Sequence, residues 1–258
     1  MKNLFDLTGK VAVVTGASSG LGADAAEAYA EYGADVALLA RRKEKLEKTA
    51  ERVRAFGRKA LPVTCDIASE DSIALAVEEV IAEFGKIDIL LNNAGIAVGG
   101  AVDQLDLEDW NRAVQTNLTG TYLMSKHVVP YMKKNGGGKI VNISSINAII
   151  GDKVPELARH SYNATKAGIR GLTMGMAASY GVDNITVNSI GPGLFESEMT
   201  EDTLFKHEGF MTAYSMQNPM GRAARRGELN GTVIYLSSAA SSYVTGMYIL
   251  VDGGIAIV

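Results

Sequence analysis

The sequence predicts an α/β fold in which a doubly wound parallel sheet carries helices on both faces. Short β-branched runs recur along the chain, helical stretches separate them, and the runs are apolar throughout rather than alternating. Continuous apolarity indicates that both faces of a strand are buried, as in a parallel sheet. Regular alternation of strands and helices favours the doubly wound arrangement, and 258 residues suit a single α/β domain.

The elements follow from these patterns in chain order. The predicted strands are Val11–Thr15, Val36–Ala40, Leu61–Thr64, Ile89–Leu91, Ile140–Ser144, Ile185–Ser189 and Tyr248–Val251. The predicted helices are Leu21–Tyr32, Lys43–Phe56, Glu70–Phe84, Leu107–Lys133, Ser161–Tyr180 and Gly227–Leu236. Residues 196–226 are the least regular stretch, and long irregular segments in compact domains are commonly functional. We therefore expect a substrate lid at about 195–226.

Composition and charge exclude several classes of protein. A single cysteine, Cys65, excludes a disulfide framework and a cysteine-ligated metal, and the three histidines are scattered, so no metal site is predicted. The net charge of −4 argues against general nucleic-acid binding. No apolar run is long enough to span a bilayer, and the first residues are too short and polar for a signal peptide. We expect a cytoplasmic protein without a membrane partner.

A glycine-rich turn follows the first predicted strand. Gly16, Gly20 and Gly22 form the pattern GxxxGxG, and the first helix begins within it. Glycine lets the backbone approach a pyrophosphate, and the helix N-terminus adds free N–H groups and a partial positive charge. The spacing departs from the usual GxGxxG. With a strand before and a helix after, the turn still predicts a dinucleotide site.

The end of the second strand indicates which dinucleotide is bound. NAD-selective sites place a carboxylate there for the ribose 2′-hydroxyl, whereas a nearby arginine accommodates a 2′-phosphate. Here Ala40 occupies the acidic position and Arg41 follows it. A guanidinium pairs with phosphate in a forked geometry. The sequence therefore favours NADP(H) over NAD(H), although Arg41 could also only begin the basic face of the second helix.

Tyr162 and Lys166 are candidates for proton transfer. Their i, i+4 spacing places them on one helix face, and a nearby ammonium is expected to lower the pKa of the phenol into a usable range. Ser144 and Ser145 end the fifth strand, where either could bind a carbonyl oxygen or serve as an ordinary turn residue. Asn117 lies in a helical stretch, where a buried amide needs partners.

Together these motifs resemble the short-chain dehydrogenase/reductase family over essentially the whole chain. They are TGxxxGxG from Thr15, NNAG from Asn92, Asn117, Ser145, YxxxK from Tyr162, Pro192-Gly193 and Val251-Asp252-Gly253-Gly254. The resemblance implies a Rossmann-type seven-stranded parallel sheet and a homotetramer or dimer. It also implies an NADP(H)-dependent oxidoreductase that interconverts a secondary alcohol and a ketone.

The resemblance also implies the roles of individual residues. Tyr162 is the general acid or base, Lys166 lowers its pKa and binds the nicotinamide ribose, Ser145 polarises the substrate oxygen, and Asn117 holds a water in a proton relay. Asp66 is placed at the adenine and Asn92 at the adenosine ribose. The implied cofactor-binding residues are Gly16, Ser18, Ser19, Gly20, Leu21, Gly22, Arg41, Arg42, Asp66, Ile67, Asn93, Ala94, Gly95, Tyr162, Lys166, Pro192, Gly193, Phe195 and Ser197.

One departure from the family pattern concerns the substrate. Tyr162 follows Ser145 by 17 positions, several more than is common, so we expect a specificity loop at about 147–160. Within the family the chain is most similar to the gluconate 5-dehydrogenase group, in its opening Leu4–Lys10, in residues 193–200 and in its ending. This favours a sugar acid or polyol as substrate. The cations available for its carboxylate are Lys153, Arg159, His160, Lys206 and His207.

Three alternatives remain open on the sequence alone. The apolar residues of the expected lid could enclose a steroid or bile acid; they are Phe195, Met199, Phe205, Phe210, Met211, Tyr214 and Met216. A 3-oxoacyl thioester is a further candidate substrate. A non-catalytic dinucleotide sensor is the alternative from a different class, but such proteins tend to lose the tyrosine or the lysine that this chain keeps.

Overall fold

A seven-stranded parallel sheet forms the centre of the molecule, in the order β3-β2-β1-β4-β5-β6-β7. The computed structural model describes residues 3–197, 200 and 204–258. The strands are β1 (Val11–Thr15), β2 (Asp35–Ala40), β3 (Ala60–Thr64), β4 (Ile89–Asn92), β5 (Gly138–Ile143), β6 (Ile185–Pro192) and β7 (Tyr248–Val251). Every pairing is parallel, which confirms the predicted doubly wound fold.

Helices cover both faces of this sheet. They are α1 (Gly20–Glu31), α2 (Lys43–Ala55), α3 (Glu70–Phe84), α4 (Leu107–Val114), α5 (Gly120–Lys134), α6 (His160–Tyr180), α7 (Glu208–Gln217) and α8 (Asn230–Ser237). Alternate residues of β1 point to opposite faces. Val14 therefore packs in one core with α1, α2 and α8, while Val13 packs in a second core with α3, α5 and α6.

The strand order reverses direction between β1 and β4, which are neighbours in the sheet but distant in sequence. Ligands of open α/β sheets bind in the crevice outside the carboxyl ends of the strands at such a reversal. The ends of β1 and β4 are joined there by the Thr15 hydroxyl, which accepts hydrogen bonds from the N–H groups of Asn93 (2.9 Å) and Ala94 (3.0 Å). The fold thereby positions a crevice beside the glycine-rich turn.

The structure differs from the predicted elements in three places. The predicted helix Leu107–Lys133 is interrupted by a π-helical turn, Gln115–Thr119, between α4 and α5. Strand β6 continues to Pro192, beyond the predicted Ser189. Helix α7 lies in the stretch predicted to be irregular, where weak apolar periodicity concealed it. Over residues 3–197, 200 and 204–258, no helix combines the length and the apolar character needed to cross a membrane.

Candidate active site

The glycine-rich turn is shaped by contacts with the end of β4. Gly16 has a φ of +68°, a region that L side chains rarely adopt, and a Cβ there would lie 2.9 Å from the Cα of Ala94. The side-chain amide of Asn93 donates to the carbonyl of Thr15 at 2.9 Å. The turn is therefore held against its neighbour by backbone contacts, with its N–H groups at the start of α1.

Gly22 was expected to bind the cofactor, but the structure places it in a packing position. It is buried beneath the turn, where a Cβ would lie 2.5 Å from the carbonyl oxygen of Gly16 and closer still to the Asn93 amide. It lies outside the lining of the crevice that the other predicted turn residues share. The glycine is needed for close packing of α1 on the turn rather than for contact with a phosphate.

Two arginines stand at the end of β2, beside the turn. The guanidinium of Arg42 donates to the hydroxyl of Ser18 at 3.1 Å and to that of Ser19 at 2.9 Å. Arg41 is exposed and lines the same crevice. The cations and hydroxyls together form a site suited to a phosphate monoester, because forked guanidinium groups and hydroxyls both donate to phosphate oxygens.

A cavity of about 550 Å³ extends from the arginines to the end of β5, which is within the range of small-molecule and cofactor sites. Its floor follows the carboxyl ends of the strands. It is lined by Thr15, Gly16, Ser18, Ser19, Gly20, Leu21, Leu39, Ala40, Arg41, Arg42, Cys65, Asp66, Ile67, Ala68, Asn93, Ala94, Gly95, Ile96, Arg112, Thr116, Ile143, Ser144, Ser145, Tyr162, Lys166, Pro192, Gly193, Phe195, Ser197 and Thr200.

Ser145 and Tyr162 converge at the far end of this cavity. The hydroxyl of Ser145 donates to Oδ1 of Asn147 at 3.3 Å and lies near Tyr162, although 17 positions separate the two residues. Burial raises the pKa of Tyr162, and the neighbouring Ser145 hydroxyl and the positive charge of Arg159 partly offset that rise. The hydroxyl of Ser144 instead donates to the backbone carbonyl of Lys166 at 2.8 Å. Of the two serines, Ser145 is therefore the one beside the phenol.

Lys166 is buried on the same side of α6 as Tyr162. Its ammonium lies 5.5 Å from the Tyr162 ring centroid and donates to the carbonyl of Ile143 at 2.8 Å. Burial lowers the pKa of Lys166 to about 8, because the charged form is poorly solvated there. The expected net lowering of the Tyr162 pKa is not found, because burial of the phenol raises it by more than the neighbouring groups lower it.

Tyr248, on the last strand, supports the serine from behind. Its hydroxyl donates to the backbone carbonyl of Ser145, and the guanidinium of Arg170 lies 4.4 Å from its ring centroid. Burial raises the pKa of Tyr248 to about 12, so this hydroxyl keeps its proton at neutral pH. Sequence analysis missed this residue, because its contact spans 103 positions and no local pattern marks it.

Asn117 lies in the π-helical turn, fully buried behind the cavity wall. Its side chain accepts from the N–H of Ile96 at 2.8 Å and donates to the carbonyl of Ile96 at 2.9 Å. It also donates to the hydroxyl of Thr165 at 3.2 Å. The amide thus has the partners that its burial demands, and it ties the loop after β4 to the helix that carries Tyr162.

Comparison with known proteins agrees with this architecture. Residues 10–207 match the family described as short chain dehydrogenase. The chain belongs to the short-chain dehydrogenase family. It is an oxidoreductase of a family that uses nicotinamide dinucleotides and small-molecule substrates.

Several short-chain dehydrogenases are similar over nearly the full length. Gluconate 5-dehydrogenase of Gluconobacter oxydans is 38% identical, and the alignment covers 99% of this chain and 98% of that protein. A 3-oxoacyl-(acyl-carrier-protein) reductase of Thermotoga maritima is 36% identical over 97% and 99% of the two chains. The structure of a gluconate 5-dehydrogenase of Burkholderia cenocepacia in complex with NADP and tartrate has a TM-score of 0.93. It is 35% identical, with coverage of 99% and 98%.

Most residues predicted for the site of this short-chain dehydrogenase line the cavity, but three do not. Gly22 packs beneath the turn, and Asn117 lies behind the wall. Asn92 is buried below the floor, where its amide donates to Asn142 at 2.9 Å and to Ser125 at 3.1 Å. Several lining residues were not predicted. Among them, Cys65 is buried yet lines the cavity, and Arg112 reaches it from α4.

The two segments expected to face the substrate are held by different contacts. His160 accepts a hydrogen bond from the N–H of Val102 through Nδ1 at 3.0 Å, so that nitrogen is occupied by the backbone rather than open to a substrate. In 195–226, Phe195 lies opposite Ala224 in a parallel bridge, in which the Ala224 backbone donates to Leu194 at 2.9 Å and accepts from Glu196 at 3.2 Å. Residues 198, 199 and 201–203 of that segment, including Met199, lie outside the described residues.

Proposed function

We propose that this short-chain dehydrogenase is an NADP(H)-dependent enzyme that interconverts a secondary alcohol and a ketone. One observation carries the proposal: a single cavity joins an arginine-lined phosphate site at one end to the Ser145–Tyr162 pair at the other. A carbonyl group at that end would meet a hydrogen-bond donor and a proton donor together.

The residues present fit a nicotinamide dinucleotide phosphate. The glycine-rich turn offers N–H groups at the start of α1 with no Cβ in the way. Arg41, Arg42 and the hydroxyl of Ser18 supply donors for a 2′-phosphate. Pro192, Gly193 and Phe195 line the other end of the cavity, where the nicotinamide would lie. When bound, the nicotinamide gives or accepts the hydride.

The protein's own groups handle the proton. In ketone reduction the Tyr162 hydroxyl donates its proton to the substrate oxygen, and Ser145 donates a hydrogen bond to the same oxygen. Because burial raises the pKa of Tyr162, the phenol is in its donor form at neutral pH. In alcohol oxidation the same group must first lose its proton, so oxidation is favoured at higher pH. Lys166 would orient the nicotinamide ribose, and Asn117 would support the helix that holds both residues.

We further propose a sugar acid, such as gluconate or 5-ketogluconate, as the substrate. The likeness to two gluconate 5-dehydrogenases supports this class. In our proposal residues 147–160 form the specificity loop and residues 195–226 the lid. Of the five candidate cations for the carboxylate, Arg159 is paired with Asp152 and Nδ1 of His160 is occupied. Of the other three, Lys153 is exposed on the proposed specificity loop and is the first to test.

A second substrate class is favoured by a separate observation. The 3-oxoacyl reductase of Thermotoga maritima is similar over nearly the same length, and Val102, Ile149 and Val154 present exposed apolar side chains on the loops after β4 and β5. An acyl chain could lie against such side chains, whereas a sugar acid gains little from them. A sugar acid therefore needs polar and cationic side chains at the rim of the cavity, whereas an acyl chain needs apolar side chains there.

Initial velocities with NADPH distinguish these possibilities. The panel contains 5-ketogluconate, other keto-sugars, oxo-steroids and an acetoacetyl thioester, and oxidation of the reduced nicotinamide is followed by absorbance. We expect saturation by 5-ketogluconate and a loss of about 10²- to 10⁴-fold in kcat for Tyr162→Phe, with NADPH binding retained. Tyr122→Phe, an exposed tyrosine on α5, is the control. Full activity of Tyr162→Phe would refute the mechanism, and preference for the thioester would replace the substrate.

A further inference from the structure

A polar network in residues 147–160 reaches the hydroxyl of Ser145. One oxygen of Asp152 accepts from Nε of Arg159 at 3.2 Å and from the side-chain amide of Asn147 at 3.3 Å. The backbone N–H of Asn147 donates to Oγ of Ser145 at 3.1 Å. The residues that lengthen the Ser–Tyr spacing are thus in contact with the serine that lies near Tyr162.

The same network places a cation beside the phenol. The guanidinium carbon of Arg159 lies 5.8 Å from the ring centroid of Tyr162. The Arg159 and Asp152 side chains are only 25% and 23% exposed, so their charges are less screened than those of a surface pair. Asn163 of α6 fixes the segment, because its amide donates to the carbonyls of Asn147 (2.8 Å) and Ile150 (2.9 Å).

Charged or titratable groups face Tyr162 from three sides. Lys166 lies on the same helix, Arg159 lies in the segment before it, and Tyr248 lies on β7, where its ionisation is coupled to that of Tyr162. Ser145 supplies a neutral hydroxyl. The two cations are the only members of this group that stabilise a phenolate by charge.

These two cations behave differently as pH rises. Burial lowers the pKa of Lys166 to about 8, so its ammonium is lost in the range where a tyrosine begins to ionise. A guanidinium keeps its charge above pH 12. Arg159 therefore remains a positive neighbour of Tyr162 throughout the working range, whereas Lys166 does not.

We propose that Arg159, held in place by Asp152, is a positioning residue that keeps a permanent positive charge beside Tyr162. The inserted segment then sets the acid strength of the phenol, with Asp152 partly offsetting the cation that it holds. This role of Arg159 rests on the proposed function, because it affects turnover only if Tyr162 transfers the proton.

The ionisation of Tyr162 can be measured without substrate or cofactor. Each protein is titrated by its near-ultraviolet tyrosinate absorbance, and the titration of its Tyr162→Phe counterpart is subtracted. We expect the midpoint to rise by about one pH unit in Arg159→Gln and to fall by about half a unit in Asp152→Asn. Asp152→Asn keeps the size of the side chain, and Arg159→Gln shortens it but keeps an N–H donor. If the two effects add, the midpoint of the double variant should lie about half a unit above the starting midpoint.

Shifts of the Tyr162 midpoint in opposite directions distinguish this electrostatic role of Arg159 from a purely structural role. Loss of the segment's shape would move both single variants in the same direction, and that result would overturn the proposal, as would an unchanged midpoint in Arg159→Gln. Lys153→Gln removes an exposed cation from the same segment and should leave the midpoint in place. In turnover, the acid limb of kcat/KM for oxidation of the preferred alcohol should move with the absorbance midpoint.

The two proposals fail in distinguishable ways. If Tyr162→Phe keeps its turnover, the proposed mechanism is wrong whatever the absorbance shows. If Tyr162→Phe is inactive but the midpoint does not respond to Arg159→Gln, only the positioning role is wrong.

Discussion

The cofactor end and the substrate end of the cavity are built in different ways. At the cofactor end, the turn after β1 approaches the loop after β4 so closely that a Cβ on Gly16 would lie 2.9 Å from the Cα of Ala94. The side chains of Thr15 and Asn93 each bond the backbone of the other residue there. At the substrate end, the 147–160 segment is held by pairs of side chains such as Asp152–Arg159. A close backbone approach tolerates few changes of sequence, whereas a pair of side chains can be exchanged, so we expect the cofactor end to be the less tolerant of substitution.

We expect the largest difference between the two ends when one glycine at each end is replaced by alanine. In Gly22→Ala the new Cβ would meet the Gly16 carbonyl, which cannot move without the turn, so we expect a loss of about 1–3 kcal/mol in the free energy of unfolding. NADPH affinity should fall with it. In Gly151→Ala the Cβ meets no atom within 4 Å, and both quantities should be unchanged. Urea unfolding measures the free energy of unfolding, and fluorescence titration measures the NADPH affinity. If both variants lose equally in these quantities, the two ends do not differ in their tolerance of substitution.

Removing the exposed arginine should act on one cofactor only. In Arg41→Ala we expect KM for NADPH to rise about 10- to 100-fold with KM for NADH nearly constant, because a charge-assisted contact with the 2′-phosphate is lost. Arg54→Ala, on α2 and away from the cavity, is the control. Steady-state kinetics with both cofactors measure the ratio, and a ratio that stays constant means that Arg41 is not the phosphate contact.

The two ends should also respond differently to pH. Burial lowers the pKa of Lys166 to about 8, so its ammonium is present below that pH and is lost above it. We expect kcat/KM for ketone reduction to be level below about pH 7 and to fall about tenfold per unit above pH 8. The preference for NADPH over NADH should stay constant between pH 7 and 9.5, because guanidinium groups do not titrate there. A level reduction profile up to pH 10 would contradict the role of Lys166.

A change at the rim of the substrate end should have the smallest effect. His160→Ala removes the hydrogen bond to the N–H of Val102, so the loop after β4 loses an anchor. We expect KM for the carbonyl substrate to rise about fivefold, on the order of 1 kcal/mol, while KM for NADPH stays the same. His127→Ala, on α5 and away from the cavity, is the matched control. A larger effect on NADPH than on the carbonyl would show that this wall supports the cofactor.

Local chemistry explains what the sequence could predict. Apolar strands, the glycine turn, Arg41 and the Tyr162–Lys166 spacing are patterns of neighbouring residues, and the sheet and the cavity confirm where they lie. The sequence did not show that Gly22 lies beneath the turn and outside the cavity lining, because a glycine for phosphate contact and a glycine for helix packing look alike in sequence.

Distant contacts explain what the sequence could not predict. The support of Ser145 by Tyr248 and the pairing of Arg159 with Asp152 depend on how loops fold back on the sheet. The pKa of Tyr162 was expected to fall because a lysine is near. Burial, which only the three-dimensional structure shows, reverses the sign.

The hydrogen bond from Tyr248 to Ser145 also links the serine to the edge of the sheet. This chain is one domain, and a domain folds as a unit. β7 is the edge strand of the sheet and pairs with β6. The position of Ser145 therefore depends on the strand that completes the sheet, and a change that loosens this edge would reach the serine through Tyr248.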